Sequence, residues 1–355
     1  MLLFSSAAAN SFSAGNATSD SLFNLAVDMT SVTTNMATPS AGGTLTINNE
    51  DLSSYDYVVK QGNQTLTAFT AADYFTVTPD TRSAWIVVNG NLTINSGITF
   101  IPTVRKLFTC IYVAGNLQLD GIISMTARGA NHSGTGTSNG LVTERDIRII
   151  TGTYSTVVNP QIPAIGGAAG KPGASPTTGG TGGGGNGGGS GTSGTAFSGG
   201  VGGGSPTGVA ASVGRGGKGA DSFENEDGNA DNNTYGSGAG NPGGGGSRGT
   251  ASTGTGGTLI VFVRGTLSGS GSFTSIGAAG GSGSSIGPAA RFSHGGGGTG
   301  GGSITIIRGS DTSSTAVTTT GGAGGPGDST GAQSNGSYSD PGGTGGTGTG
   351  RKLTF

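Results

Sequence analysis

Trp85-Ile86-Val87-Val88-Asn89-Gly90-Asn91-Leu92-Thr93-Ile94 is followed 25 residues on by Cys110-Ile111-Tyr112-Val113-Ala114-Gly115-Asn116-Leu117-Gln118-Leu119, and these two stretches decide the fold. Placed on their shared glycine, they are joined without a gap by stretches around Gly265 and Gly309. Two residues before the glycine stand Val88, Val113, Val263 and Ile307; four before it stand Ile86, Ile111, Val261 and Thr305. Two after it stand Leu92, Leu117 and Leu267, with Asp311 the one departure, and eight after it stand Ile98, Ile123, Phe273 and Val317. Each unit reads as a strand, a turn at glycine and a second strand whose inward positions fall two apart. The spacing suits one coil of a β-solenoid or two successive hairpins of a β-sandwich, and both stay open at this point. One unit cannot bury its apolar face alone, so stacked neighbours or partner chains are expected.

Working outward, three of these units run into glycine, broadly over 129–258, 277–303 and 321–350. Glycine occupies 79 of the 355 positions and apolar residues only 31%, so a conventional layered core serves part of the chain. Glycine loses the most backbone entropy on ordering and buries no side chain, so a flexible linker is the alternative for such tracts. Collagen is excluded, since there is no strict Gly-X-Y period and only 12 prolines. An ordered lobe has one route. Glycine segments in the left-handed polyproline II form can approach closely and pair their N–H and C=O groups with one another. Each such bond contributes only about 1 kcal/mol, so many segments must pack as a block. The expected fold class is therefore all-β, with β-solenoid or β-sandwich-like strand pairs and glycine-rich lobes of packed polyglycine II helices.

Upstream of the repeat, residues 1–80 have ordinary composition and read as an attachment or oligomerisation region. Thr44-Leu45-Thr46-Ile47, Tyr57-Val58-Val59 and Leu66-Thr67-Ala68-Phe69 are strand candidates within it. Residues 81–165 form the strand-repeat region, and 166–355 the glycine-rich region with two further repeats. Met1-Leu2-Leu3-Phe4 lacks a charged flank and reads as the mature amino end rather than a signal peptide. No apolar run approaches the ~18 residues needed to cross a bilayer, so no membrane insertion is expected.

Charged residues make up 10% of the chain and the net charge is -2, which argues against nucleic-acid binding. Cys110 is the only cysteine, so no intrachain disulfide exists, and its apolar surroundings predict a buried thiol. Glu144 and Asp146 would share one face of a strand, but Arg145 and Arg148 flank them, as in an exposed salt-bridged strand rather than a catalytic pair. His132 and His294 lack partners at ligand spacing, and Asp227-Gly228-Asn229-Ala230-Asp231 does not follow an EF-hand. No phosphate-binding loop motif occurs. No catalytic residue, metal site or cofactor is expected.

The tracts 182–191 and 295–302, and the passage from glycine into an apolar strand at Gly256-Gly257-Thr258-Leu259-Ile260-Val261-Phe262-Val263, resemble the glycine-rich, polyglycine-II-bearing tail fibre and receptor-binding proteins of tailed bacteriophages. The resemblance covers roughly the last 190 residues, and the β-rich amino-terminal half departs from it. It implies a non-enzymatic virion appendage, extracellular, whose loops between glycine segments bind a bacterial cell-surface receptor. By character, the acidic interruption 221–235 corresponds to such a loop, with Asp221, Phe223, Glu224, Glu226, Asp227, Asp231 and Tyr235 as its recognition residues. Residues 1–80 would meet other virion proteins. Self-association, as a homotrimer, is expected because apolar strands such as 259–263 exceed what a glycine-rich chain can cover. The competing expectation is a decoration, fibre-shaft or filament subunit with no receptor of its own.

Overall fold

The structure is a computed structural model that describes residues 35–41, 46–47, 50–51, 55–77, 83–106, 109–129, 167–168, 200–201, 256–279, 301–324 and 344–354. Its strands are β1 (Ser40–Ala41), β2 (Thr46–Ile47), β3 (Glu50–Asp51), β4 (Asp56–Gln61), β5 (Gln64–Leu66), β6 (Ala84–Asn89), β7 (Leu92–Ile94), β8 (Thr99–Phe100) and β9 (Thr109–Val113). They continue with β10 (Leu117–Leu119), β11 (Ile122–Ser124), β12 (Gly167–Ala168), β13 (Gly200–Val201), β14 (Thr258–Ser268), β15 (Ser272–Thr274), β16 (Ser303–Asp311), β17 (Ala316–Thr318) and β18 (Thr349–Thr354). The protein is all-β. Among the described residues the only helical element is a 3-10 turn at Ala71–Asp73.

Nearly all pairing is parallel, so the strand pairs of the repeat are not hairpins. Three walls result. Strands β4, β6, β9, β14, β16 and β18 lie side by side in the first, with Val58, Ile86, Ile111, Val261, Ile306 and Lys352 in one line across it. The second joins β5, β7 and β10 to the end of β14, lining up Gln64, Leu92, Leu117 and Leu267. The third is β8, β11, β15 and β17, lining up Phe100, Ile123, Phe273 and Val317. The chain thus passes wall by wall around a shared interior and returns to stack on itself.

Side-chain alternation explains the burial. Ile86, Val88, Ile111, Val113, Leu259, Val261, Val263, Ile304 and Ile306 point into one core with Leu92, Leu117, Leu267, Ile123 and Phe273. On the first wall the alternate residues Val59, Trp85, Val87, Cys110, Tyr112, Phe262 and Ile307 are buried as well. Tyr112 and Phe262, directly opposite in register, stack with ring centroids 5.3 Å apart and planes 9° from parallel. Burial on both faces is why these strands read as unbroken apolar runs, as parallel strands do.

The stack ends differently at its two sides. At the first coil β1 runs antiparallel along β4, and Met36 N donates to Val59 O. Lys60 Nζ donates to the carbonyls of Met36 and Ala37 at 2.9 and 2.7 Å. Phe69, Tyr74 and Phe75 close the interior over Phe100, with centroid separations of 4.9, 5.0 and 5.3 Å. At the far side the leucine column ends in Asp311, which aligns with Leu267. Among the described residues β18 pairs only with β16.

At the first corner the turn glycines explain themselves. Asn91 N donates to Asn63 Oδ1 at 2.9 Å, Asn116 N to Asn91 Oδ1 at 2.8 Å, and Thr266 N to Asn116 Oδ1 at 2.9 Å. The column closes with Thr266 Oγ1 and Ser310 Oγ, 2.7 Å apart. A Cβ on Gly115 or Gly265 would fall on the amide oxygen of Asn91 or Asn116, so only glycine lets each asparagine reach the coil above it. Gly265→Val is expected to cost about 1–3 kcal/mol, and Asn116→Ala, which frees a mostly exposed N–H, about 1 kcal/mol. In urea unfolding the double variant should lose less than the sum, because removing Asn116 removes part of the clash.

Candidate functional site

Two features of the coil present chemistry to the outside. The first is the outward face of the second wall. There Thr65, Thr93, Gln118 and Ser268 align in register beside the column of Asn63, Asn91, Asn116, Thr266 and Ser310. Most of these side chains are exposed and none is charged. Rows repeat at the strand spacing of about 4.8 Å. Asp120 lies at the edge, accepting from Gln118 Nε2 at 2.8 Å and from Ser270 N at 3.2 Å. The result is an in-register lattice of neutral hydrogen-bonding groups, chemically matched to a polyhydroxyl surface.

The second feature is the corner between the third wall and the first. Stacked neighbours on the ladder are separated in sequence by 28, 25, 150 and 44 residues. The extra length always falls at this one corner, after β11, β15 and β17, where residues 130–255, 280–300 and 325–343 connect one coil to the next. The described residues at this corner bond to one another largely through backbone, with Ser275 Oγ donating to Gly257 O at 2.6 Å. Gly277 N donates to Thr320 O at 2.9 Å, Gly345 N to Gly322 O at 2.8 Å, Gly301 N to Gly346 O at 3.0 Å and Gly302 N to Ser275 O at 2.7 Å. Gly302 packs so closely on Gly256 and Gly257 that a Cβ has no room. Gly167–Ala168 and Gly200–Val201 add a two-stranded parallel pair inside the longest excursion.

The recognition residues expected from the sequence, Asp221, Phe223, Glu224, Glu226, Asp227, Asp231 and Tyr235, lie outside the described residues, as do His132, His294, Glu144 and Asp146. Cys110 is buried on β9 and forms no disulfide. Among the described residues no group of three or more His, Cys, Asp or Glu is placed to hold a metal ion. The polar lattice escaped sequence analysis, although Gly62-Asn63, Gly90-Asn91 and Gly115-Asn116 repeat the dipeptide that builds it. Comparison with protein-family models, with curated proteins and with solved structures finds no match.

Two charged groups mark the ends of the stack. Burial pulls the Lys60 ammonium below its ordinary range, against the opposing effect of Asp73. Its Nζ also lies 5.0 Å above the Tyr74 ring. Burial by itself would raise Asp311, but hydrogen bonds from Ser313 Oγ and N at 2.6 and 2.9 Å, with Arg308 and Lys352 nearby, hold its carboxyl below the usual range. Arg308 Nε is 2.8 Å from Asp311 Oδ2 as an ion pair, although the angle does not make it a hydrogen bond. Lys352 Nζ, 3.7 Å from the same oxygen, donates to Thr315 O at 2.7 Å.

Because the folded carboxyl titrates below its unfolded value of about 3.9, its stabilisation is complete above that pH and is lost as pH falls through the folded value. Asp311→Asn should therefore lower Tm at pH 7 and flatten the fall in Tm between about pH 5 and 2. Thermal unfolding across that range checks this.

Proposed function

We propose that this chain is a non-enzymatic extracellular appendage protein of the tail-fibre or adhesin type, a β-solenoid shaft carrying glycine-rich lobes that bind a bacterial cell-surface receptor. One observation carries the proposal: every glycine-rich excursion is inserted at the same corner of a parallel, in-register stack. A stiff coil with insertions collected at one corner is suited to presenting loops, since a loop can vary there while the coils beneath keep their pairing. Two glycine-to-glycine backbone bonds, Gly345 N to Gly322 O and Gly301 N to Gly346 O, support lobes of packed polyglycine II helices, since such helices pair N–H with C=O across neighbouring tracts. Recognition belongs to the interruptions of the lobes, above all 221–235, and the neutral lattice of the second wall offers a further contact surface for a glycan.

A second reading has its own support. Among the described residues β18 pairs only with β16, and an uncapped parallel edge suits end-to-end assembly in a fibre shaft or filament without a receptor. Self-association as a trimer belongs to the proposal too, but not on its original ground, since residues 259–263 are buried within a single chain.

Adsorption of purified protein to intact bacterial cells separates the readings. The adhesin reading expects saturable binding that blocks infection, reduced at least tenfold by Phe223→Ala with Tyr235→Ala while the β-rich circular dichroism is unchanged. Undiminished adsorption after deletion of 221–235 would remove that loop as the recognition element. Absence of any adsorption, with concentration-dependent assembly by sedimentation, would favour the shaft or filament.

A further inference from the structure

Lys106 and Asp56 are among the most deeply buried polar side chains of the described residues, at 0 and 1% exposure. They form an ion pair with Nζ 2.7 Å from Oδ2. Neither adhesion nor coil stacking calls for it: Asp56 opens β4, and Lys106 lies in the link that enters β9 two strands away across the first wall. Thr76 completes the arrangement. Its Oγ1 accepts from Lys106 Nζ at 2.9 Å and donates to Asp56 Oδ2. Amine, hydroxyl and carboxyl therefore form a closed triangle.

We propose that this triangle is the site of a self-forming covalent cross-link, an isopeptide bond between Lys106 Nζ and Asp56 Cγ. The reaction begins with transfer of a proton from the Lys106 ammonium to Asp56 Oδ2, 2.7 Å away, which leaves an amine beside a carboxylic acid. The amine lone pair then attacks Cγ. As the Nζ–Cγ bond forms, a proton leaves Nζ for Thr76 Oγ1, and the Thr76 hydroxyl proton passes to Oδ2. The Cγ–Oδ2 bond breaks and one water departs. Nothing is oxidised or reduced, and no external reactant is needed. Exclusion of water favours condensation over hydrolysis, and holding the partners at contact distance removes the entropy of encounter.

The product would tie the first coil to the third across 50 residues of sequence, next to the corner where the excursions enter. Such a closure limits the unfolded chain as a disulfide does, in a protein whose single cysteine forbids one. Tension along the stack would then pass through a covalent bond instead of strand pairing alone.

The test is the intact mass of the full chain after folding, followed by digestion. The proposal expects a mass lighter by one water and a branched peptide joining the Asp56 and Lys106 segments. Lys106→Arg, which keeps the charge but cannot form the amide, should restore the full mass. Thr76→Val should slow bond formation at least tenfold, and cross-linking at the wild-type rate would overturn the hydroxyl relay. A full-length mass with separate peptides from folded wild-type protein overturns the cross-link. So does a water loss without the branched peptide, which would mark a succinimide.

Discussion

Every coil of this protein directs its backbone N–H and C=O groups along the stack, so no coil can satisfy its own hydrogen bonds and each depends on the coils above and below. That requirement sets the register, and register sets the rest. Once Leu117 lies over Leu92 and under Leu267, the glycines before Leu117 and Leu267 must let an asparagine oxygen through, and the residues two apart must fill the interior. The Asn63–Asn91–Asn116–Thr266 column fixes the corner where β-pairing is interrupted, and it does so with side chains that need no apolar surface.

The same dependence explains how a chain so rich in glycine keeps a core. Only the contact between neighbouring coils matters, and that contact is indifferent to how much sequence separates them. Val113 stacks on Val88 after 25 residues, and Val263 stacks on Val113 after 150 in the same register. Loop-closure entropy grows only logarithmically with length, so the longest excursion adds little to the cost of forming its coil. The ends are handled by different chemistry. Aromatic rings and an antiparallel strand close the first coil, while Asp311, Arg308 and Lys352 replace apolar residues where the interior runs out.

Much of the coil was legible in the sequence, and the misses have physical causes. The alignment on Gly90, Gly115 and Gly265 is the observed register, and Asp311, set apart as the departure, is the residue that ends the core. The fourth unit slips by one before its glycine. A bulge between Val263 and Thr266 puts Ile306 and not Thr305 opposite Val261, and a gap-free alignment cannot express a bulge. Ile98 aligns where Phe100 stands, because the turn from Ile94 to Thr99 is longer than the one from Leu119 to Ile122, and periodicity does not register the added length. Tyr57-Val58-Val59 reads as a strand but not as a coil of the repeat, since Lys60 and Gln64 stand where the next coil has Val88 and Leu92, although Gly62-Asn63 follows at the same offset as Gly90-Asn91. Parallel pairing could not be read at all, because alternation is the same in a hairpin and in a coil. The acidic loop 221–235 lies outside the described residues, so the candidate site that structure adds, the neutral lattice, is one that sequence showed only as a repeated Gly-Asn.

What unites the proposed shaft, lobes and adhesion is that residues 150 apart are immediate neighbours, and that can be tested directly. Gln118 and Ser268 are outward-facing register partners on β10 and β14. Their Cα atoms should lie about 4.8 Å apart, inside the ~4.4–6.8 Å span of a disulfide. The measurement is oxidation of the Gln118→Cys, Ser268→Cys double variant beside a Thr93→Cys, Gln118→Cys control, read by mass and by non-reducing electrophoresis. The parallel stack predicts an intrachain disulfide in both, whereas a bond in the control and none between positions 118 and 268 would contradict it.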